Sequence, residues 1–312
     1  MSAEWLDAYP GVECDEPLAK HSQFGVGGAA QWFIKTRDAA TLSELLQRCK
    51  DTGVAVTILG AGSNSLILDS GIEGLVVRFD DRKLRVIDDT AVEVGGGGMM
   101  PRVALDCARR GLAGLEFGIG VPGTCGASVC GNAGAFGAEM ADVLLDCIAL
   151  SPEGKPVTLD NAACGFAYRH SNFKDRLRGH VVVSARLRVR RDDASVVRAR
   201  TDDVQAQRKA TQPYGIRSLG SVFKNPSGGA AGRLLEAAGL KGKRIGGAQI
   251  SPKHANFIVN VNAATASDVL QLVQLAHDEV LQRFDVDLER EIVTLGETQP
   301  ASTRPQHTGV LQ

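Results

Sequence analysis

Glycine-rich segments are the part of this sequence whose residue types and spacing could do chemistry. Three stand out: residues 24–28 (FGVGG), residues 60–64 (GAGSN) and the run 118–137. Because glycine lacks a Cβ, such a backbone can approach a ligand closely and turn its N–H groups toward phosphate oxygens. Single glycine-rich turns are common without any ligand, but three in one chain favour a nucleotide cofactor.

The glycines match neither of the two common nucleotide-binding fingerprints. No Gly-x-Gly-x-x-Gly opens a helix after the first strand, and no Gly-x-x-x-x-Gly-Lys-Ser/Thr occurs. These observations argue against a Rossmann dehydrogenase and a P-loop kinase. The run 118–137 is too rich in small residues to build a core by itself, so it suits a flat ring lying against backbone.

The cysteines and histidines do not predict a metal site. The seven cysteines are at positions 14, 49, 107, 125, 130, 147 and 164. Their number is odd, and none forms a Cys-x-x-Cys pair or a ligand cluster with histidine. His254 has no second ligand four residues further on. We therefore predict reduced thiols and no bound metal.

Length and charge narrow the function classes. At 312 residues the chain is too long for one small module, so two or three packed units are expected. Thirty-five basic and 36 acidic residues give a net charge of −1, which argues against a nucleic-acid-binding protein. No apolar run approaches the roughly 20 residues that cross a bilayer, and residues 1–5 do not resemble a secretory signal. A cytoplasmic protein without a membrane span is expected.

Hydrophobic periodicity predicts the elements that must position these segments. Residues 42–50 have helical spacing, and the stretches 54–59, 66–68 and 75–79 are typical of strands. Together they predict a compact α+β unit over residues 1–79.

A second unit is predicted over residues 80–205. It contains a strand at 91–94, a helix at 102–111 that ends at a glycine, and a strand at 181–190. Apolar residues alternate with arginines in that last strand, so the arginines are expected on a solvated face.

A third unit is predicted over residues 206–297. A polar, helix-compatible connector at residues 200–212 leads into it, followed by a helix at 230–238. A longer helix then begins with a capping-box-like pattern at Thr265. The remaining residues, 298–312, are poor in large apolar groups and are predicted to be disordered.

Six motifs, in order along the chain, carry a resemblance to a known family. They are GAGSN, LEFGIGVPGT, NAGAFG, YRHSNFK, GSVFKNP and KGKRIGGAQISPKHANFIVN. With them the chain resembles the UDP-N-acetylenolpyruvoylglucosamine reductase (MurB) family of peptidoglycan synthesis over nearly its whole length. The direct passage from Arg169 to Ser221, with no added segment, is similar to the shorter of two family variants.

The resemblance implies an α+β fold: the FAD-binding fold of the vanillyl-alcohol oxidase type, with two α+β subdomains, and a C-terminal α+β domain that binds substrate. It implies that NADPH, as co-substrate, reduces a non-covalently bound FAD. The enolpyruvyl ether of UDP-N-acetylglucosamine then takes the hydride and becomes UDP-N-acetylmuramate, and the enzyme is expected to be a monomer. The positions that match the cofactor site are Gly60, Ala61, Gly62, Ser63, Asn64, Pro122, Gly123, Thr124, Asn132, Gly134 and Ala135.

The resemblance also implies catalytic roles. Ser221 would deliver a proton to substrate C2 after hydride reaches C3, and Arg169 and Glu291 would stabilise the enolic intermediate. Glu289 remains a rival for the acidic role, because Arg290 stands where the family usually has proline. The positions that match the nucleotide side of the pocket are Tyr168, Tyr214, Lys224, Asn225, Lys253 and His254.

Two other functions remain open on the sequence alone. The first is a flavin-dependent oxidase of the same fold, which often tethers its flavin through His or Cys. Against it, His21 is the only N-terminal histidine, and no Gly-Gly-His-Ser string occurs. The second is a flavin-binding relative that has lost catalysis, against which stand Arg169, Ser221 and Glu291 together.

Overall fold

The computed structural model describes residues 3–296, and the first group of elements along the chain is built around a small mixed sheet. This group consists of β1 (Val12–Pro17), β2 (Ala29–Thr36), α1 (Ala39–Thr52), β3 (Val56–Ile58), β4 (Ser65–Ile67) and β5 (Ile72–Phe79). The sheet has the order β1-β2-β5-β3, with β1 and β2 antiparallel and the other neighbours parallel.

Helix α1 shows how the local sequence sets these elements. The Asp38 carboxylate caps the N-terminus by accepting a hydrogen bond from the Thr41 N–H at 2.9 Å. Gly53 ends the helix in the left-handed conformation that glycine adopts without strain. The helix predicted at residues 42–50 is confirmed, and its apolar side chains lie in the main core.

The other strands of this group were predicted only in part. The stretches 54–59, 66–68 and 75–79 are observed as β3, β4 and β5. Strands β1 and β2 were not predicted. In β1 the side chains are mostly exposed and several are charged, so the sequence has no apolar pattern to mark an edge strand.

The second group is built around an antiparallel sheet with the order β12-β11-β13-β7-β6. Its strands are β6 (Leu84–Val86), β7 (Ala91–Gly95), β8 (Leu112–Ala113), β9 (Gly134–Ala135), β10 (Ala138–Glu139), β11 (Leu144–Leu150), β12 (Pro156–Asp160), β13 (Val181–Arg188) and β14 (Arg190–Arg191). Its helices are α2 (Met100–Arg109), α3 (Cys125–Gly131), α4 (Met140–Val143), α5 (Asn161–Cys164) and α6 (Ala194–Thr211). Short 3-10 turns in the described chain lie at Ala3–Trp5, Leu18–His21, Glu116–Gly120 and Asn172–Lys174.

Most predictions in this group are confirmed. The strand at 91–94 is β7, and the helix at 102–111 is α2, followed by Gly111 at a φ of +65°. In β13, Arg186 and Arg188 are exposed while the residues between and before them are buried, as the alternation predicted.

The connector predicted at residues 200–212 is part of a longer element. Helix α6 begins six residues earlier, at Ala194, where the Asp193 carboxylate accepts hydrogen bonds from the N–H groups of Ser195 and Val196. Val197 packs with Ala108 of α2 in a small buried cluster. The stretch is therefore a helix that packs on the second group of elements, and its sparse apolar pattern concealed this.

The third group completes the described chain. It contains α7 (Ala231–Ala237), β15 (Arg244–Ile245), β16 (Ala248–Ile250), β17 (Ile258–Asn260), α8 (Ala266–Phe284) and β18 (Val293–Leu295). The capping box at the start of α8 is confirmed: Thr265 and Asp268 exchange side-chain-to-backbone hydrogen bonds. Strand β18 leaves this group and pairs in parallel with β4.

The apolar interior of the described chain forms four buried clusters, two of them large. One of the smaller two packs Leu18, Phe33 and Ile67 of the first group with Leu295 of β18. One large cluster runs through the first and second groups, from Leu6 to Val189. A separate cluster fills the third group and takes in Phe24 and Leu66 from the first. The unit boundaries predicted at residues 79, 205 and 297 stay predictions, and the tail predicted at 298–312 lies outside the described residues. Among residues 3–296, no helix has the length and apolar character needed to cross a membrane.

Candidate active site

A cavity of about 310 Å³ lies where the three groups of elements meet. Its wall contains residues from the loop after β3, the run 118–137, the segment before β13 and the start of the third group. The predicted site residues that line it are Ser63, Asn64, Pro122, Gly123, Gly134, Ala135, Arg169, Ser221 and Glu291. All three predicted catalytic residues therefore face one space, although they are far apart in the sequence.

The loop at residues 60–64 connects the first and third groups beside this cavity. The Ser63 carbonyl accepts a hydrogen bond from the Gly220 N–H at 3.2 Å. The Asn64 side chain donates to the Glu291 carbonyl at 2.9 Å, and the Asn64 carbonyl accepts from the Val293 N–H at 2.9 Å. The loop thus fixes the segments that carry Ser221 and Glu291.

Much of the cavity wall is formed by small residues of the run 118–137. A Cβ built at Gly123 would make only ordinary van der Waals contacts, the nearest with Ser63 Oγ at 3.6 Å, so the fold itself would tolerate a small side chain there. At Gly120, by contrast, a Cβ would lie 2.8 Å from the Phe136 ring, so that glycine permits close packing within the strip. Small side chains that line a cavity let a flat cofactor such as FAD lie close to the backbone.

The remaining predicted cofactor residues lie beside the cavity. Gly60 and Thr124 line a separate small space of about 30 Å³. A Cβ at Gly62 would lie 2.7 Å from the His21 carbonyl oxygen, and φ there is +62°, so this position requires glycine for the fold itself. Ala61 lies between them in the same loop. Their contact with a cofactor stays a prediction.

Asn132 is fully buried and is used by the protein itself. Its side-chain NH₂ donates to the Ala167 carbonyl at 2.9 Å, and its side-chain oxygen accepts from the Ala141 N–H at 2.9 Å. These bonds hold the segment before Tyr168 against α4. Its predicted role toward a cofactor is untested.

The first glycine-rich segment, residues 24–28, serves packing. A Cβ at Gly28 would lie 2.4 Å from the Asp69 carbonyl oxygen, and one at Gly27 would lie 2.7 Å from the Ile67 side chain. These glycines let the chain pass close to the turn after β4. Close packing explains these glycines without a ligand, and the expectation that this segment points to a nucleotide stays a prediction.

Arg169 and Glu291 form an ion pair in the cavity wall, with Arg169 Nε and Glu291 Oε1 3.0 Å apart. Arg169 also donates from Nη2 to the Gly134 carbonyl at 3.0 Å. Its backbone has φ +53°, a left-handed conformation that non-glycine residues seldom adopt. Such a strained backbone persists only where surrounding contacts maintain it, and it is often found at functional sites.

Burial raises the pKa of the Glu291 carboxyl, and the positive charges of Arg169, Lys174 and Lys224 oppose that rise. Desolvation wins because it penalises the charged form more than the nearby cations favour it. Glu289, the rival acid, has a side chain that is 70% exposed and pairs with Lys224. This geometry favours Glu291 as the acid of the cavity.

Ser221 is half-buried on a segment that is held on both sides. The Leu219 N–H donates to the Ile258 carbonyl at 3.2 Å, and the Val222 N–H donates to the Asn256 carbonyl at 2.9 Å. With the Gly220 bond to Ser63, these contacts fix the backbone around the hydroxyl.

The six residues matched to the nucleotide side do not line the cavity, but several adjoin it. Tyr168 and Tyr214 are about half exposed, and the Tyr168 hydroxyl accepts a hydrogen bond from the Asn225 N–H at 3.3 Å. The His254 ring packs edge-on against Phe257, which does line the cavity. Two more make contacts with the protein itself: Lys224 pairs with Glu289, and Lys253 donates to the Lys209 carbonyl.

Sequence reasoning missed two cationic residues of the cavity. Lys174 ends the YRHSNFK motif, and its Nζ donates to the Arg169 carbonyl at 2.7 Å. Arg208 lies near the end of α6 and donates to the Ile119 carbonyl at 3.0 Å. The motif contained the signal for Lys174, whereas Arg208 became visible only when α6 was seen to pack beside the cavity. Within the described chain no group of three His, Cys, Asp or Glu residues could hold a metal ion.

Two family models match this chain, one over its first part and one over its last. Residues 30–160 match the FAD binding domain, and residues 212–295 match the C-terminal domain of UDP-N-acetylenolpyruvoylglucosamine reductase. UDP-N-acetylenolpyruvoylglucosamine reductase 2 of Symbiobacterium thermophilum is 42% identical over 90% of this chain and 91% of its own. The reductase of Synechococcus sp. is 41% identical over 91% of each chain.

A solved structure agrees with these matches. The crystal structure of UDP-N-acetylenolpyruvylglucosamine reductase from Thermus caldophilus superposes with a TM-score of 0.77 at 33% identity. The superposition covers 91% of this chain and 98% of that one. The α+β FAD-binding fold and the resemblance predicted from the motifs are thereby confirmed. The chain belongs to the UDP-N-acetylenolpyruvoylglucosamine reductase family.

Proposed function

We propose that this chain reduces the enolpyruvyl ether of UDP-N-acetylglucosamine to UDP-N-acetylmuramate, with NADPH as reductant and non-covalent FAD as cofactor. The observation that carries the proposal is the meeting of Ser221, Arg169 and Glu291 on one cavity whose other wall is made of small residues. The names of the relatives supply the substrate class.

FAD would be held by the loop 60–64 and by the small-residue wall around residues 122–124 and 134–135. When bound there, it supplies hydride transfer from NADPH to the substrate double bond. The presence of Pro122, Gly123, Gly134 and Ala135 in the cavity wall supports this placement.

Arg169 would orient the substrate carboxylate. A guanidinium has five N–H donors, so Arg169 can hold a carboxylate while it keeps its contacts to Glu291 and Gly134. Because the guanidinium is already fixed in the wall, it meets charge that develops on the substrate without reorganising.

Ser221 would donate the proton to substrate C2. A hydroxyl is a weak acid, so it needs a strongly basic acceptor and neighbours that stabilise the alkoxide left behind. Glu291, in its ion pair with Arg169, would assist Arg169 in stabilising the enolic intermediate.

The purified protein tests the proposal directly. We expect a yellow protein whose visible absorbance is bleached by NADPH without oxygen and restored by the enolpyruvyl ether. Restoration by O₂ much faster than by the ether would favour the oxidase, and absence of bleaching would favour the catalytically silent relative. Either result would overturn the proposal.

Three further properties belong to the same proposal. Acid precipitation should release the flavin into the supernatant, because no covalent tether is expected. Light scattering should give the mass of one chain, 32.9 kDa, if the enzyme is a monomer. A cytoplasmic location is consistent with the substrate class, and fractionation of the source cells would test it.

A further inference from the structure

Lys174 is a cation of the cavity wall to which the proposed reaction assigns no role. It lines the same space as Arg169 and Glu291, and its side chain is half-buried. Its Nζ donates a hydrogen bond to the Arg169 carbonyl at 2.7 Å. A half-buried ammonium that bonds the backbone of a neighbouring site residue is a candidate for holding that residue in place.

The turn that carries Lys174 is anchored firmly on both sides. Ser171 is fully buried, and its hydroxyl donates to the Cys130 carbonyl of α3 at 2.6 Å. Phe173 is buried in the main core, and the Asn172 side chain donates to the Ala163 carbonyl at 2.8 Å. Because its neighbours are fixed in this way, the Lys174 side chain extends from a rigid base into the cavity.

Arg169 needs such support. Its backbone is in the left-handed region, at φ +53°, where a non-glycine residue is strained. Reciprocal backbone hydrogen bonds between Ala167 and His170 close the turn around it. The carbonyl of Arg169 itself accepts the Lys174 ammonium, so this bond fixes the strained peptide directly.

The charge of Lys174 also acts on Glu291. Three cations lower the pKa of that carboxyl against the effect of burial: Arg169, Lys174 and Lys224. Arg169 is in direct contact, and Lys224 is paired with the exposed Glu289. The groups that act on Lys174 in return are Lys224, Glu291, Cys130 and Glu289, and burial is the main cause that lowers its own pKa.

We propose that Lys174 is a positioning residue of this active site, which fixes Arg169 through its carbonyl and supplies a second positive charge from the cavity wall beside Glu291. This inference rests on the proposed function for its catalytic meaning. Its two parts, a hydrogen bond and a charge, can be removed separately.

Three substitutions separate the two parts. Lys174→Gln keeps an N–H donor and removes the charge, Lys174→Met removes both, and Lys174→Arg keeps the charge. Lys155→Gln is the matched control, because Lys155 is exposed and does not line the cavity.

Titration of the Glu291 carboxyl by ¹³C NMR reports the charge without turnover, with Glu291→Gln used to assign its signal. Loss of a nearby cation disfavours the ionised carboxylate, so Lys174→Gln and Lys174→Met should move the titration to higher pH. Lys174→Arg and Lys155→Gln should leave it near the parental position. An unchanged titration in Lys174→Gln would overturn the charge part.

Steady-state kinetics reports the hydrogen bond. Lys174→Met should have a KM for the enolpyruvyl ether about tenfold above that of Lys174→Gln, the loss expected for one hydrogen bond that orders the carboxylate-binding Arg169. The rate of flavin reduction by NADPH should change little. A parental KM in Lys174→Met, or an equal slowing of both half-reactions, would overturn the positioning part.

Failure of the proposed function has a different signature. In that case the parental protein itself would not be reoxidised by the ether, while the Glu291 titration could still shift in the variants. If neither neutral variant folds, Lys174→Arg decides: a displaced Glu291 titration despite the retained charge would count against the proposal, and a parental one would support it.

Discussion

The two halves of the molecule are organised differently. Most buried apolar residues of the first and second groups, up to residue 211, lie in one large cluster, whereas those of the third group lie in another. A smaller cluster joins the first group to Leu295 of β18. The small-residue wall and Arg169 come from the first half, and Ser221 and Glu291 come from the second. The proposed cofactor wall therefore belongs to one half of the molecule, and the proposed proton donor and acid belong to the other. We call the boundary between the two halves the seam. The proposed site residues of both halves meet there, so substitutions at the seam should affect the reaction.

Removing the proton donor should have the largest effect. Ser221→Ala should leave flavin reduction by NADPH nearly intact and slow reoxidation by the ether by about 10²–10⁴-fold, the usual contribution of a positioned general acid. Rapid mixing of the prereduced variant with substrate measures this step. Ser227→Ala, an exposed serine of the same loop, is the control. Reoxidation at the parental rate would show that Ser221 is not the proton donor.

Glu291→Gln should slow reoxidation by about 10²-fold, since an electrostatic partner of the developing charge is lost. It should also change how stability depends on pH. Burial raises the pKa of Glu291 in the folded state, so its contribution to stability is present at low pH and lost as pH rises through that pKa.

The variant lacks this titration, so its free energy of unfolding should fall less than the parental one over that pH range. Urea unfolding at several pH values measures the difference. Parallel pH profiles for the two proteins would mean that the cavity does not desolvate this carboxyl.

A large side chain in the small-residue wall should weaken FAD binding without unfolding the protein. Gly123→Leu adds a large side chain to a glycine of the cavity wall whose Cβ would make only ordinary van der Waals contacts, so we expect the added side chain to occupy cavity space. We expect FAD to bind about tenfold more weakly or worse, which is about 1.4 kcal/mol. Gly229→Leu, in open space on the third group, is the control. Equal flavin content in both variants, measured by absorbance ratio, would move the flavin ring away from this wall.

Cutting one bond of the seam should have the smallest effect. Asn64→Ala removes the hydrogen bond from its side chain to the Glu291 carbonyl. The free energy of unfolding should fall by about 0.5–1.5 kcal/mol, as expected for one hydrogen bond. Denaturant titration followed by fluorescence and by flavin absorbance would check whether both halves lose stability together. Separate transitions would show that this bond couples them.

Local sequence patterns predicted much of the fold. Helices α1 and α8 have regular apolar spacing and recognisable caps, so their positions follow from the sequence. Strand β1 and the start of α6 lack such a pattern because few of their side chains are buried. The pairing of β4 with β18 joins residues 65–67 to residues 293–295, which are far apart in the sequence, so no local sequence pattern predicts it.

The candidate site was predictable only through motifs. On residue type alone Ser221 would be a turn residue, and the family motifs named it together with Arg169 and Glu291. The structure adds what spacing could not supply: a shared cavity, the ion pair within it, and the exposure of Glu289. Residues 24–28 show a limit of prediction from sequence: a glycine needed for close packing cannot be distinguished there from a glycine needed to bind a ligand.

The parallel pairing of β4 with β18 has a consequence for how this protein is made. Among the described elements β4 is synthesised early and β18 last. The backbone of β4 therefore cannot pair with β18 until most of the described chain has been translated. During that interval the nascent chain is open to association with other strands. An N-terminal fragment ending before residue 293 would retain that exposed edge permanently. We expect such a fragment to aggregate, and a synthetic or co-expressed C-terminal piece containing β18 to restore its solubility.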